Sequence, residues 1–497
     1  MAFEDSHRRT TDFFWLALFL CAVAAQVFFA LSAAVHGFQV KELEGEFQDV
    51  LNVTAETTWT GWAQDTVTNW MELRQDVKLE SKGLLAALCS AAASSGVFLL
   101  LLAYFPVHII VHGVVLGAPA ALLAVGAAAL SGAAEVVGIE TRLGWPFMML
   151  GLAGFMLTTF AWQYLQLAIA VLRCSAAFIR ARPKIGGFPL LFGIVHLAGL
   201  ALWACAVLGV RIALDAETNK DWNQQLGIAC AMLLCFLWGS AFVTGLSTFT
   251  VAYAASHWYG RGPADAQQGV LPGLKVGLRY HAGSIALGSL LLAFVRTLKI
   301  MLWWAQKAEE EAGQAAQGAV RAGVRGATGM QIPQQPRPPS LLRSVRHFAA
   351  EVLDVVATWA SKQAFVQVAL SGCPFATGAM RAARLGAKAP VGFLMVEFLS
   401  HAFQRACELL LLCVAVLVAA SFGLEGVQGL GPVVLAAYLA AESLLHPYSV
   451  ATTTILHCCL LDKDGKEPDR VPKEAKDLRR IMEQWGGDDG SFAQHYA

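Results

Sequence analysis

The sequence predicts an all-α polytopic membrane protein with about ten transmembrane helices and both termini in the cytoplasm. Composition gives the class: 56% of the 497 residues are hydrophobic and only 14% are charged, with a mean hydropathy of +0.54. A soluble domain carries about 25% charged residues, so this chain is short of the polar surface that water requires. Length gives the spans, because several apolar runs reach the roughly 20 residues needed to cross hydrocarbon. Charge asymmetry between the connecting loops gives the orientation. Formal net charge is +0, so no global basic field argues for nucleic acid.

Residues 1–12 form a short polar N-terminus in which Arg8 and Arg9 precede the first apolar run, 13–35. That run has no convincing cleavage site and reads as a retained span leaving the cytoplasm. The loop 36–83 is acid-rich and carries Asn52-Val53-Thr54, a sequon that makes Asn52 a candidate glycosylation site on an extracellular or lumenal loop. Helices two to seven occupy 84–304. The runs 84–104 and 107–130 pair across a corner at Pro106, and 145–172 reads as the next span. Arg173, Arg180, Arg182 and Lys184 follow it without an acid among them, the strongest positive-inside signal in the chain. The run 189–210 returns outward, 226–253 comes back, and the loop 255–280 is again basic.

The stretch 278–304 opens on Arg279, Tyr280 and His281 and continues with Gly283, Ser284, Ala286, Gly288 and Ser289. Small residues at near-fourfold spacing let another helix approach closely in lipid, where packing holds helices together. The span ends on Arg296, Lys299 and the interfacial pair Trp303-Trp304. Residues 305–347 read as a flexible Gly/Pro-rich loop. Parity puts it outside, whereas Arg321, Arg325, Arg337, Arg343 and Arg346 favour the cytoplasm. Helices eight to ten occupy 348–460. The eighth, 351–372, is a poor span with Asp354 and Lys362 in it, suited to a tilted, cavity-lining or interfacial position. Arg381, Arg384 and Lys388 mark the inside again, 407–422 and 431–460 form a closing pair, and 461–497 is a cytoplasmic tail.

The wording of these segments resembles the choline transporter-like family of membrane proteins. The resemblance rests on Arg279-Tyr280-His281-x-Gly283-Ser284-x-Ala286-x-Gly288-Ser289-Leu290. Before it come Phe236-x-Trp238, Phe242-Val243 and Trp258-Tyr259. After it come Gln367-x-Ala369-x-x-Gly372-x-x-Phe375 and Thr454-x-Leu456-x-Cys458. It covers about 227–462 and implies a carrier of choline or a related small organic cation, ethanolamine included, working in the lipid of the plasma membrane or an organelle. The chain departs from the family's pattern in lacking a large cysteine-bearing domain after the first span. It also has Glu408 where the resemblance implies a lysine, and Thr453 where it implies an acid.

A quaternary ammonium donates no hydrogen bond, so a site for it needs aromatic faces, to which a carboxylate adds attraction without a full ion pair being required. Trp238, Phe242, Gly245, Phe249 and Tyr253 stand at i, i+4, i+7, i+11 and i+15, a stripe of rings with a glycine notch on one helix face. The same stripe also suits plain packing. A second face, Phe155, Thr159, Trp162 and Gln166, mixes rings with polar groups; Trp162 is its candidate contact. Ionisable residues inside spans are costly and mark function by default, which singles out Glu397 and Glu408 near the start of the ninth span and Glu442 one turn after Tyr438 in the tenth. Glu397 and Tyr438 match the resemblance and join the candidate substrate contacts. Glu408, Glu442 and His281, the last at the mouth of the seventh span, are candidate gating or proton-linked groups.

The eleven cysteines lie almost entirely in apolar segments, which argues against a disulfide-stapled ectodomain, and no spacing reads as a metal site. No nucleotide-binding or hydrolase motif stands out, so neither cofactor nor catalytic residue is expected. A membrane-embedded enzyme of choline or ethanolamine lipid metabolism and a non-transporting structural protein stay open as alternatives.

Overall fold

The computed structural model describes residues 10–35, 89, 107–131, 144–160, 162–182, 184–215, 222–261, 269–328, 341–388, 390–421, 426–461 and 475–481. Among them the secondary structure is helical throughout: α1 (Phe13–Val35), α2 (Val107–Leu130), α3 (Gly144–Phe160), α4 (Trp162–Ala181), α5 (Lys184–Asp215), α6 (Trp222–Arg261), α7 (Val270–Val276), a π-helical turn (Gly277–His281), α8 (Ala282–Thr328), α9 (Leu341–Ser371), α10 (Phe375–Lys388), α11 (Pro390–Ser421) and α12 (Gly426–Leu461). Among the described residues, four stretches are long and apolar enough to cross a membrane: Phe13–Ser32, Gly227–Gly260, Val270–Lys307 and Phe393–Ser421.

α1 shows why such segments belong in lipid. It has no charged residue, and Phe14 and Phe28 are each 67% exposed, a surface that only hydrocarbon covers without penalty. A helix that is apolar all round presents no solvent face.

The bundle is organised around α6, which packs on α5, α7, α8, α9 and α12. α1 lies in the angle between α5 and α8, α2 pairs with α3, and α4 rests on α11 and α12. α10 is a short amphipathic helix (Phe375–Lys388) folded back on α9. The turn between them passes through Gly372 at φ 65°, a conformation open to glycine without a Cβ clash.

The N-terminal residues and the short helix 475–481 meet the same end of α6. Thr11 N–H donates to Tyr280 O at 2.9 Å, beside the buried rings of Phe249 and Tyr253. Arg479 Nε donates to Tyr259 Oη at 3.4 Å.

Several boundaries differ from the sequence reading. The run 145–172 is divided between α3 and α4, which pack on different partners. Helix α8 continues to Thr328, so 305–328 is not loop. Ala, Gln and Glu are strong helix formers and outweigh Gly313, Gly318, Gly323 and Gly326 there. Helix α11 begins at Pro390, well before the expected ninth span, which puts Glu397 and Glu408 inside one helix instead of at its entrance. The poor span 351–372 is, up to Ser371, the C-terminal part of α9. The loop 36–83 with Asn52 lies outside the described residues, as does the run 84–104 apart from Cys89.

Candidate functional site

The aromatic stripe of α6 is buried along its length, but its rings divide between two neighbours. Trp238 and Phe242 face α1. The Phe19 ring meets Trp238 edge-on at 5.3 Å between centroids and stacks on Phe242 at 4.3 Å with 21° between planes. Trp238 Nε1–H donates to Ala286 O on α8 at 2.9 Å; a small side chain at that position leaves the carbonyl within reach. Phe249 and Tyr253 instead face the π-helical turn. Phe249 lies 5.4 Å from His281 and 6.4 Å from Tyr253, and Tyr253 lies 4.2 Å from His257. Trp162 is 47% exposed at the start of α4 and meets His112 of α2 edge-on at 5.8 Å.

The principal charge centre lies where α9, α11 and α12 meet. Glu397 is 3% exposed. Its Oε2 faces Lys362 Nζ at 3.4 Å and His401 Nε2 at 3.9 Å, and its Oε1 accepts from Thr453 Oγ1 at 2.6 Å. Lys362 also donates to Ser449 Oγ at 3.0 Å, and the Gln363 amide stands against the same carboxylate. An unpaired buried ion costs several kcal/mol. Here three helices supply the countercharge and the hydroxyls that make ionisation tolerable. Thr453, where the family resemblance implies an acid, is thus a neutral donor to Glu397. A string of polar groups runs from α5 through α6 to α12. His196 on α5 lies 3.4 Å from Thr244 Oγ1 on α6, and Thr248, one turn on, lies 3.4 Å from His446 Nε2 on α12.

A second centre lies further along α11. Glu408 pairs with Arg405 one turn before it and accepts from Gln404 Nε2 at 3.0 Å. Arg405 also faces Glu442 Oε2 on α12 at 3.7 Å and is hydrogen-bonded to Tyr438. Tyr438, Glu408 and Glu442 therefore share one arginine, so three sequence candidates form one cluster.

His281 is fully buried in a clasp made by the N-terminal segment. Thr11 Oγ1 lies 3.2 Å from His281 Nδ1 and 2.7 Å from Ser284 Oγ. Ser284 donates to Asp12 Oδ2 at 2.6 Å, and the same oxygen accepts Phe375 N–H at 3.1 Å. A carboxylate at the start of α10 meets unsatisfied amides and the positive end of the helix dipole. Asp12 holds this place at φ 55°, which an aspartate tolerates better than most residues. The sequence reading missed Thr11, Asp12, Phe19 and the partner of Lys362. An aspartate directly before an apolar run is a helix-start signal, but no local pattern reveals that it also caps a helix more than 360 residues away.

A family model described as plasma-membrane choline transporter matches residues 146–464. The chain belongs to that family. Choline transporter-like protein 5-A of Danio rerio is 42% identical over 73 residues, 14% of this chain and 10% of the relative. Choline transporter-like protein 1 of Caenorhabditis briggsae is 28% identical over 176 residues, 28% of this chain and 22% of the relative. Choline transporter-like protein 2 of Mus musculus is 32% identical over 101 residues, covering 20% and 14%. The alignments thus span less than a quarter of each relative's length. The family match takes in the α6 rings and both charge centres. The clasp residues Thr11 and Asp12, and Phe19 of α1, stand outside it.

Proposed function

We propose that the chain carries choline or a related small organic cation such as ethanolamine across the membrane, with Glu397 as the carboxylate that meets the cation. The supporting observation is the buried Lys362–Glu397 pair inside the bundle of a chain of this family. A carrier for a fixed positive charge needs a negative group that is already desolvated, and that group needs a stand-in countercharge when the site is empty. Lys362 fills that role. Its second partner, Ser449, keeps one hydrogen bond for the ammonium when the carboxylate is taken by substrate. Intramembrane ionisable groups held this way are characteristic of substrate paths.

Recognition of the ammonium head falls to Trp238 and Phe242. Two partly desolvated ring contacts contribute roughly 1–4 kcal/mol, which suits binding between millimolar and micromolar and leaves the ligand releasable. Phe19 covers both rings in the conformation described. Substrate therefore reaches them when α1 separates from α6, and the movement of α1 is the gating step of an alternating-access cycle. Phe249, Tyr253 and Trp162 line the approach in this reading, Tyr438 lies beside the Arg405 centre, and Glu408, Glu442 and His281 govern closure. Both termini lie in the cytoplasm, the loop 36–83 faces outside with Asn52 open to glycosylation, and the spans number about ten in the plasma membrane.

The deciding experiment is uptake of labelled choline and ethanolamine by purified protein in proteoliposomes. Saturable uptake that falls at least tenfold in a Glu397→Gln, Lys362→Met double variant of normal thermal stability supports the reading. Uptake unchanged in that variant removes Glu397 from the path, and no saturable uptake by folded wild-type protein rejects transport of these cations.

A further inference from the structure

The ledge before α8 carries a feature that the transport reading does not use. From Val270 to His281 one face is packed inward: Val270, Gly273, Gly277 and His281 are buried. A Cβ on Gly273 would stand 3.0 Å from Thr250 O, so this face lies directly on α6. The opposite face is open. Leu271, Leu274, Lys275, Leu278 and Arg279 line an open groove of about 490 Å³, with Leu271 74% exposed. Lys275 and Arg279, one turn apart, have no carboxylate partner among the described residues. The Arg279 guanidinium sits 5.4 Å from the Tyr280 ring centroid, which steadies it at the groove's edge.

Depth in the membrane decides what fills such a groove. The ledge begins the apolar stretch Val270–Lys307, whose far end is marked by Trp303 and Trp304 at an interface. Counting back the roughly 20 residues that cross hydrocarbon from Trp303 reaches about Gly283. Residues 270–281 therefore lie at the depth of the lipid headgroups, where leucines reach acyl chains and long basic side chains reach phosphates. We propose that this groove binds an anionic phospholipid, its chains against Leu271, Leu274 and Leu278 and its headgroup on Lys275 and Arg279. A zwitterionic lipid fits poorly, because its own ammonium is repelled by the two cations that attract its phosphate. Each basic residue near an anionic surface contributes about a fivefold factor, so the two together favour an anionic lipid by up to about twenty-five-fold, and a preference of about tenfold or more is expected.

Native mass spectrometry of the full-length protein in detergent, titrated with dioleoylphosphatidylserine or dioleoylphosphatidylcholine, tests this. Wild type is expected to retain one phosphatidylserine at about a tenth or less of the phosphatidylcholine concentration. K275Q/R279Q, both substitutions at exposed positions, should lose that preference while keeping its thermal midpoint in lipid-free detergent. L271S/L278S should weaken retention of both lipids and keep the preference between them. Equal retention of the two lipids by wild type, or an undiminished preference in K275Q/R279Q, overturns the proposal. So does displacement of the lipid by millimolar glycerophosphoserine or inorganic phosphate, since the site would then read a free phosphate and not a lipid.

Discussion

A buried carboxylate with one cation and one hydroxyl donor leaves little room for error. Lys362→Ala strips Glu397 of its countercharge and should lower stability by about 3–5 kcal/mol, whereas replacing both partners by neutral groups of similar size should cost far less. Thermal unfolding in detergent checks this; single and double variants that melt alike would show that the pair is not coupled. Asp12 makes a comparable claim at the start of α1. Asp12→Ala leaves the Phe375 amide without its acceptor and limits the Ser284 hydroxyl to Thr11 Oγ1; it should cost about 1–3 kcal/mol, with Asp12→Asn losing less because an amide oxygen still accepts. A wild-type melting curve for Asp12→Ala would show that the clasp contributes nothing to stability. Glu397 was legible in the sequence because acids are expensive in a span wherever they point. Lys362 was legible only as a blemish in a weak helix. Its value depends on α11 and α12 arriving beside it, and that lies in tertiary packing and not in any local pattern.

Among the elements, α8 shows how much periodicity can carry. Gly283 and Gly288 stood out as sites of close approach, and they are. A Cβ at Gly283 would run into the Thr11 and Asp12 carbonyls, and one at Gly288 into the rings of Phe365 and Phe375. Gly288→Leu is therefore expected to fail in folding before selectivity changes, seen as loss of a monodisperse peak on size exclusion and a melting point well below wild type. Normal expression and uptake would contradict the contact. The partners themselves were not legible, since small residues say that something approaches and not which chain segment does. The error at 305–328 has a different origin. Glycines and the prolines from Pro333 onward dominated the reading of a whole window, although helix propensity is a sum over residues and the alanines, glutamates and glutamines before Pro333 carry it. The division of 145–172 was hidden for the opposite reason, because continuous apolarity gives no mark of where one helix stops and the next takes a new partner.

For the molecule as a whole, the aromatic stripe was legible as one helix face, suited to a cavity wall or to plain packing; its rings are buried, and no local pattern reveals that Phe19 covers two of them. Phe19 on Phe242 and Trp238 ties the proposed recognition rings to the position of α1, which itself is tied to α8 and α10 through Thr11 and Asp12. The proposed sidedness rests on the acid-rich first loop: if Asn52 is outside, protein made in eukaryotic cells should show a glycosidase-sensitive gel shift that Asn52→Gln abolishes, and an engineered cysteine in 36–83 labelled only after permeabilisation would reverse the orientation. The same arrangement makes the transport cycle itself testable. If substrate reaches Trp238 and Phe242 when α1 moves away, a Phe19→Cys, Phe242→Cys protein, weakened already by the lost Phe242 ring, should lose its remaining choline uptake when crosslinked by a short disulfide-containing bifunctional thiol reagent and regain the uncrosslinked level when that linker is reduced. Trp238→Ala should raise the half-saturating choline concentration about tenfold, the scale of one lost ring contact of roughly 1.4 kcal/mol. Trp238→Phe keeps a ring face, though not the hydrogen bond to Ala286 O, and should lose less. Full uptake by the crosslinked protein would mean that the rings are packing alone, and the cation would then have to reach Glu397 by a route that does not open between α1 and α6.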